Sequence, residues 1–236
     1  MAKSSTAVST QLVASTDSLP AHLKAVDTAG RGNENVGSNV TIPRIKLMQK
    51  MSNEVDKHNP AHIEGCEPGH FVNTLLQKNY GASIYCINLT VATVYEVKRG
   101  FDFGGGLGGS FPSKTAAEEA INTQDKPEEW ENVETHRHLI LIKDPETGAL
   151  DNTPCTFDFS ASKLRVSKEW NSQIVMKGGD RFNSLWKLTG KPTESKAGFV
   201  FMNLELDWVG WAQEEDYKFS EETYTSIAEN LEQALL

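Results

Sequence analysis

The chain has 236 residues, of which 38% are hydrophobic, enough to form one sizeable core. No run approaches the roughly 20 apolar residues that span a bilayer, and residues 1–10 lack the apolar stretch of a secretory signal, so we expect neither a membrane-spanning nor a secreted protein. The formal net charge of -9 disfavours a nucleic-acid partner for the chain as a whole.

The negative charge is concentrated in two segments. Residues 214–236 carry -6 and residues 123–135 carry -4, which leaves +1 for the rest of the chain. This asymmetry predicts a nearly neutral body with acidic segments, and such a body is compatible with a polyanionic partner.

The three cysteines, Cys66, Cys86 and Cys155, are widely spaced and include no CxxC pair. This spacing predicts neither a disulfide framework nor a zinc cluster, so a reducing cytoplasm fits best. Cys86 and Cys155 lie in strand-like runs, where we expect them to be small buried hydrophobic residues.

Residues 1–40 are rich in Ser, Thr, Ala, Gly and Asn. They predict a flexible arm, because they offer too little apolar surface to offset the entropy of ordering. After them, the alternation of basic and apolar residues from Arg44 to Leu47 predicts a half-buried strand. Pro43 lacks an N–H donor, so we expect this strand at a sheet edge.

Two runs rich in β-branched and aromatic residues, 70–76 and 82–99, predict the next strands. The second run is long enough to require a bend or bulge. Residues 104–109 predict a glycine-rich loop. A short exposed helix follows over 113–121, with Ser113 as its N-cap.

The rest of the chain predicts a hairpin, a helix, a second hairpin and a final acidic helix. The predicted bounds are 136–143 with 153–160, then 161–176, then 182–189 with 199–212, and finally 219–236. In the first of the two helices, Val166, Trp170 and Ile174 recur at helical spacing, so we expect Trp170 in the core.

Several short strands, one well-formed helix among them and no βαβ alternation predict a mainly β (α+β) fold. The leading candidate is an OB-fold-like small antiparallel β-barrel, with an inserted helix and a C-terminal helix. The expected organisation is a flexible arm at 1–40, one barrel domain at 41–212 and an acidic C-terminal tail or helix at 213–236.

Two patterns that carry chemistry in other proteins are interpreted here as structural. Residues 104–109 contain GxGxxG, but Pro112 interrupts the passage into the helix, so we expect a hairpin tip rather than a dinucleotide site. His136 and His138 have a spacing that can hold a metal, yet no cysteine or acidic partner accompanies them. We therefore expect no catalytic activity, no cofactor and no metal.

Aromatic residues interleaved with basic ones are the remaining signal. Single-strand binders use cationic grooves for phosphates and flat side chains on which bases stack. Stretches of this kind occupy residues 98–103, 163–170 and 181–187. Trp208 and Trp211 would lie on opposite faces of a regular strand, so we expect one of them to be exposed.

Four stretches of the chain resemble a family of phage proteins that bind single-stranded DNA or assist DNA replication. They are IPRIKLMQ from Ile42, residues 97–111 with the glycine loop, FDFSASKLRVSKEWN from Phe157, and residues 182–211. The resemblance implies a barrel that coats single-stranded DNA without sequence specificity, during replication or recombination in the cytoplasm of an infected bacterium. The residues that would line its DNA groove are Arg99, Phe101, Lys163, Arg165, Lys168, Trp186 and Lys187.

The resemblance also implies that the acidic tail contacts a phage DNA polymerase or helicase. By charge alone, the tail could cover the groove until DNA displaces it, or serve only as a solubilising helix. Self-association into a homo-oligomer is left open. Two other functions stay open for the whole chain: a phage virion structural or assembly protein, and an acidic, DNA-mimicking inhibitor of a host enzyme.

Overall fold

The computed structural model describes residues 41–228, so the predicted arm at 1–40 and residues 229–236 lie outside the described part. The described strands are β1 (Arg44–Leu47), β2 (Phe71–Asn73), β3 (Lys78–Asn79), β4 (Ser83–Arg99), β5 (Leu107–Phe111), β6 (Trp130–Lys143), β7 (Cys155–Ser160), β8 (Ser184–Glu194) and β9 (Val200–Trp211). The described α-helices are α1 (Lys114–Asn122), α2 (Leu164–Lys177) and α3 (Glu214–Ala228). None of these helices combines the length and apolar composition needed to cross a bilayer.

Five of the strands form a Greek key with one extension. β4, β6 and β7 follow one another as antiparallel neighbours. After α2 the chain returns on the far side of β4 as β8, which gives the Greek-key order β8-β4-β6-β7. β9 then pairs antiparallel with β8. As expected for so long a strand, β4 contains an irregularity, between Asn88 and Thr90.

β1 lies inside the sheet. It pairs in parallel with β7 on one side and antiparallel with β2 on the other. The prediction of an edge strand was wrong because Pro43 precedes β1 instead of lying in it. The missing N–H therefore costs no ladder bond, and the Pro43 carbonyl accepts a bond of 2.8 Å from the Thr156 amide.

The sheet curls into an open half-barrel, in agreement with the predicted β-barrel class. Its strand order, β3-β2-β1-β7-β6-β4-β8-β9, leaves β3 and β9 at the two ends. The Gln49 side chain, just after β1, donates to the Met202 carbonyl of β9 at 2.9 Å and accepts from its amide at 2.8 Å. The Gln49 side-chain amide thus makes with Met202 the pair of backbone hydrogen bonds that a neighbouring strand would otherwise make. Gly190 of β8 also lies against the backbone of Gly69.

The main core fills the concave side of the sheet. α2 packs into it through Val166, Trp170 and Ile174, so the predicted apolar stripe and the buried position of Trp170 are confirmed. Alternation along the strands supplies the remaining side chains. Among them are Ile45, Leu47, Phe71, Ile84, Cys86, Ile140, Phe157, Phe159, Trp186 and Leu188.

A second apolar layer lies on the opposite face of the sheet, beneath α3. Lys143 of β6 contacts Asp216 of α3, and the Tyr217 hydroxyl donates to Asp180 Oδ2 at 2.6 Å. The acidic C-terminal helix is therefore packed on the sheet over the residues described. The buried residues beneath it are Ile87, Leu89, Leu139, Leu141 and Phe182.

Two boundaries differ from the sequence-based prediction for the same reason. β6 starts at Trp130, so part of the acidic segment 123–135 is paired with β4 instead of being a separate appendage. The β8–β9 hairpin continues to the pair Glu194 and Val200, although a loop was predicted over 190–198. In both cases pairing with a neighbouring strand overrides weak local β-propensity.

Candidate nucleic-acid interface

Six ionisable side chains meet on the convex face of the sheet, and we call them the outer-face charge cluster. Residues next to them in β1 and β7, such as Ile45 and Phe157, point into the core, so alternation directs the cluster outward. β1, β7, β6 and β4, which supply most of it, are consecutive in the sheet. The members are Arg44, Glu96, Lys98, Arg137, Asp158 and Lys163.

Arg137 of β6 is the centre of the cluster. Its guanidinium donates to both carboxylate oxygens of Asp158, at 2.8 and 2.9 Å, and to Glu96 Oε1 at 2.9 Å. All three residues are buried, and a bidentate pair of this kind fixes the direction of each side chain. Removing one partner would leave a buried charge uncompensated, which typically costs about 3–5 kcal/mol.

Arg44 and Lys98 form the exposed rim of the cluster. Arg44 lies 2.5 Å from Asp158 Oδ2, and Lys98 Nζ lies 2.6 Å from Glu96 Oε2. Both keep about a third of the side chain in solvent, at 37% and 32%. Burial alone would raise the pKa of Glu96, but the hydrogen bond from Lys98 and the charges of Lys98, Arg44 and Arg137 hold that pKa below its ordinary value.

Lys163 joins the cluster from the short 3-10 turn between β7 and α2. Burial lowers the pKa of Lys163, and the charges of Lys98 and Arg44 lower it further while Asp158 and Glu96 oppose them. The cluster thus holds four cations against two carboxylates. An anion such as a phosphate would offset this excess of positive charge, so the rim is a suitable place for one.

α2 carries basic residues away from the cluster. Arg165 and Lys168 are exposed on it, as predicted from their position opposite the apolar stripe, and Lys177 is its last residue. Glu169 adds one exposed acid. With 14 residues, the helix is about 20 Å long, so basic side chains extend along the molecule for about that distance.

Two exposed tryptophans lie beside the far end of α2. The Trp208 and Trp211 rings pack edge to face with centroids 5.5 Å apart. Lys177 Nζ lies 3.5 Å from the centroid of the Trp208 ring. The sequence led us to expect one of these two rings in solvent, whereas the structure exposes both.

Three of the seven predicted groove residues have other surroundings, and a fourth is not described. Arg99 donates from Nε to Glu129 at 2.8 Å, and Lys187 lies 5.7 Å from the ring centroid of Tyr85. The prediction that Trp186 lines the groove was wrong, because its ring is fully buried in the core beside Trp170. The side chain of Phe101 lies outside the described residues.

His136 and His138 are tied to α2 by one hydroxyl group. Ser167 Oγ lies 2.8 Å from His136 Nδ1 and 2.7 Å from His138 Nε2. His138 is stacked on Trp170 with ring centroids 4.8 Å apart. Burial, with smaller effects of Arg181 and His136, lowers the pKa of His138 well below its ordinary value. Among residues 41–228, no group of three or more His, Cys, Asp or Glu side chains could hold a metal ion.

The glycine-rich segment 104–109 belongs to a hairpin. β5 pairs antiparallel with β4, and Lys98 lies opposite Leu107. The sequence thus correctly predicted a hairpin at this segment.

Sequence reasoning missed Arg44 and Arg137 as members of a common site. The alternation of Arg44 with Ile45 and Leu47 was a signal that the arginine points away from the core. Its carboxylate partners, Glu96 and Asp158, lie 52 and 114 positions further along the chain, so only the strand order brings them together.

Comparison with known proteins places the chain in one family. The sequence model of the Pam3 phage gp34-like protein family matches residues 6–233, a span that includes the charge cluster, α2 and both exposed tryptophans. No curated protein and no solved structure matches the chain. The match agrees with the predicted phage origin, and the chain belongs to the Pam3 phage gp34-like protein family.

Proposed function

We propose that this phage protein binds single-stranded DNA without sequence specificity, during phage DNA replication or recombination in the host cytoplasm, and that it has no catalytic role. The observation that carries the proposal is the outer-face charge cluster, in which four cations face two carboxylates. Backbone phosphates would neutralise this excess whatever the base sequence.

The strand order supports an OB-type assignment of the barrel. An OB-fold is a five-stranded, partly open Greek-key barrel that binds oligonucleotides on the face of its second and third strands. Here β4, β6, β7, β8 and β9 are the five strands, and α2 connects the third to the fourth. The second and third strands are β6 and β7. They carry Arg137 and Asp158 of the cluster.

The OB-type assignment also gives a role to two loops. In an OB-fold the connections between strands 1 and 2 and between strands 4 and 5 contact the nucleic acid. The first corresponds to residues 100–129, which include the glycine-rich hairpin, and the second to residues 195–199. Phe103 and Phe199 are exposed there, at 48% and 73%, and would provide aromatic contacts.

Contact with a phage polymerase or helicase is proposed for the acidic C-terminal segment. Glu215, Glu221 and Glu222 are exposed on α3 and are available to a basic partner. The contact of Asp216 with Lys143 holds the helix on the sheet, so recruitment would use α3 in place rather than a released tail.

Binding of a fluorescently labelled oligo-dT, measured by anisotropy at about 50 mM and about 300 mM salt, tests the proposal. The three partly exposed cations of the cluster are Arg44, Lys98 and Lys163. One phosphate contact for each predicts an affinity at least about 40-fold weaker at the higher salt. Duplex DNA should bind little. No binding at low salt, or equal binding of duplex, would overturn the proposal.

A further inference from the structure

The Trp208–Trp211 pair leaves large aromatic surfaces in water. Trp208 is 38% exposed and Trp211 58%, although other tryptophans of this chain, Trp170 and Trp186, are fully buried. Aromatic side chains contribute most when they are removed from water. Two adjacent rings that the fold leaves uncovered are therefore suited to an external ligand.

A β-bulge is responsible for the adjacency of the two rings. In a regular strand, positions 208 and 211 would point to opposite faces. Here Leu185 pairs with Gly210 and Trp186 pairs with Trp208, so Val209 is an extra residue in β9. The extra residue turns both rings to one side. Bulges commonly redirect side chains in this way beside functional sites.

The charge around the rings favours an anionic partner. Lys177 Nζ covers one face of Trp208 at 3.5 Å from the ring centroid. Lys163 precedes the first residue of α2 and Lys177 is its last, so basic residues connect the charge cluster with the tryptophans along the helix. A nucleic-acid strand would use both features of this surface, because it presents phosphates to the basic side chains and flat nucleobases to the rings.

We propose that Trp208 and Trp211 form a base-stacking subsite for single-stranded nucleic acid. A base stacks on Trp211, which is the more exposed ring, while Trp208 supports that ring and Lys177 neutralises the adjacent phosphate. The subsite rests on the proposed function and adds to it the place where bases, rather than phosphates, are bound.

Affinity for labelled oligo-dT in variants of the two tryptophans tests the subsite. Trp211→Ala should weaken binding about 5- to 150-fold, as expected for the loss of one stacked base, and Trp208→Ala should weaken it less. Trp211→Phe keeps a flat ring and should restore part of the loss. Leu76→Ala is the matched control, because it removes a 64% exposed apolar side chain from the β2–β3 turn.

A second readout comes from intrinsic fluorescence. Since Trp170 and Trp186 are buried, oligo-dT should quench the tryptophan fluorescence of the wild type and of Leu76→Ala, and this quenching should be largely lost in Trp211→Ala.

If the wild type binds DNA and both alanine variants bind within about twofold of it, the subsite is wrong and the proposed function stands. If the wild type does not bind, the proposed function itself fails. Loss of self-association in the variants, with DNA affinity unchanged, would instead identify a protein interface and overturn the subsite.

Discussion

The Ser167 hydroxyl fixes the start of α2 to β6 through two histidines. It bonds to His136 and His138, and Asn88 Nδ2 lies 2.8 Å from the other ring nitrogen of His138. Because α2 also carries Arg165 and Lys168, these buried bonds hold the proposed DNA-binding residues in position. The histidine pair thus links β6 to α2.

The buried state of His138 predicts a pH dependence of stability. Its pKa in the folded protein is below the ordinary 6.5, so as pH falls the unfolded chain binds the proton first. Neutral His138 therefore contributes fully to the free energy of unfolding above about pH 6.5. As pH falls below this value the contribution is lost, by up to about 1.4 kcal/mol per pH unit. Urea denaturation between about pH 7.5 and 5.5 measures the slope.

Two substitutions make the pH test specific. His58→Asn removes an exposed histidine and should leave the slope unchanged. His138→Asn should flatten the slope, whatever its effect on stability at neutral pH. An unchanged slope in His138→Asn would show that another group is responsible.

Lys163→Gln tests the cationic excess of the charge cluster. Loss of one phosphate contact should weaken oligo-dT binding about 3- to 10-fold at about 50 mM salt and reduce the salt slope by about 1, irrespective of base sequence. The control is Lys57→Gln, which removes an exposed lysine outside the cluster. Equal losses in the two variants would mean that overall charge, and not the cluster, determines affinity.

Residue types were easier to predict than their surroundings. The stretch 163–170 was identified from its bases and aromatics, and Arg165 and Lys168 are indeed exposed. Trp186 was assigned to the wrong environment, because a strand pattern does not say which of its faces is buried. The exposure of both Trp208 and Trp211 depends on a bulge, which the sequence does not reveal.

Elements with strong local signals were predicted well. α1 starts after Ser113, whose hydroxyl accepts from the Ala116 amide at 3.2 Å, and α2 is followed by Gly178, whose φ of 75° suits glycine. Elements whose position depends on distant partners were not predicted, as the location of β1 between β2 and β7 illustrates. Strand order is non-local information, and one sequence contains little of it.

The backbones of Gly69 and Gly190 approach each other closely where two sides of the half-barrel meet. A Cβ at position 190 would lie 2.8 Å from the carbonyl carbon of Gly69, so Gly190→Ala must push β8 away from the segment before β2. We expect a loss of roughly 1–3 kcal/mol in the free energy of unfolding, the usual cost of overpacking. Denaturant unfolding measures it.

Gly210→Ala is the control in the adjacent strand, since a Cβ there meets nothing within 4 Å. It should leave stability unchanged or raise it by up to about 1 kcal/mol. Similar losses in both variants would contradict a specific role for the Gly69–Gly190 contact.

On the scale of the whole molecule, charge is segregated by position. The two acidic segments carry -10 and the rest of the chain +1, and the cations of the cluster lie together on the convex face. Local potential, rather than total charge, determines where a polyanion binds. An acidic protein can therefore bind DNA where its cations are concentrated.

The most direct test of this account is photocrosslinking to an oligo-dT that contains 5-iododeoxyuridine, followed by mass spectrometry of the crosslinked peptides. We predict crosslinks within residues 163–177 and at Trp208 or Trp211, reduced at high salt. Crosslinks confined to α3 or to the β2–β3 turn, or no crosslinks above those of a duplex control, would contradict the account.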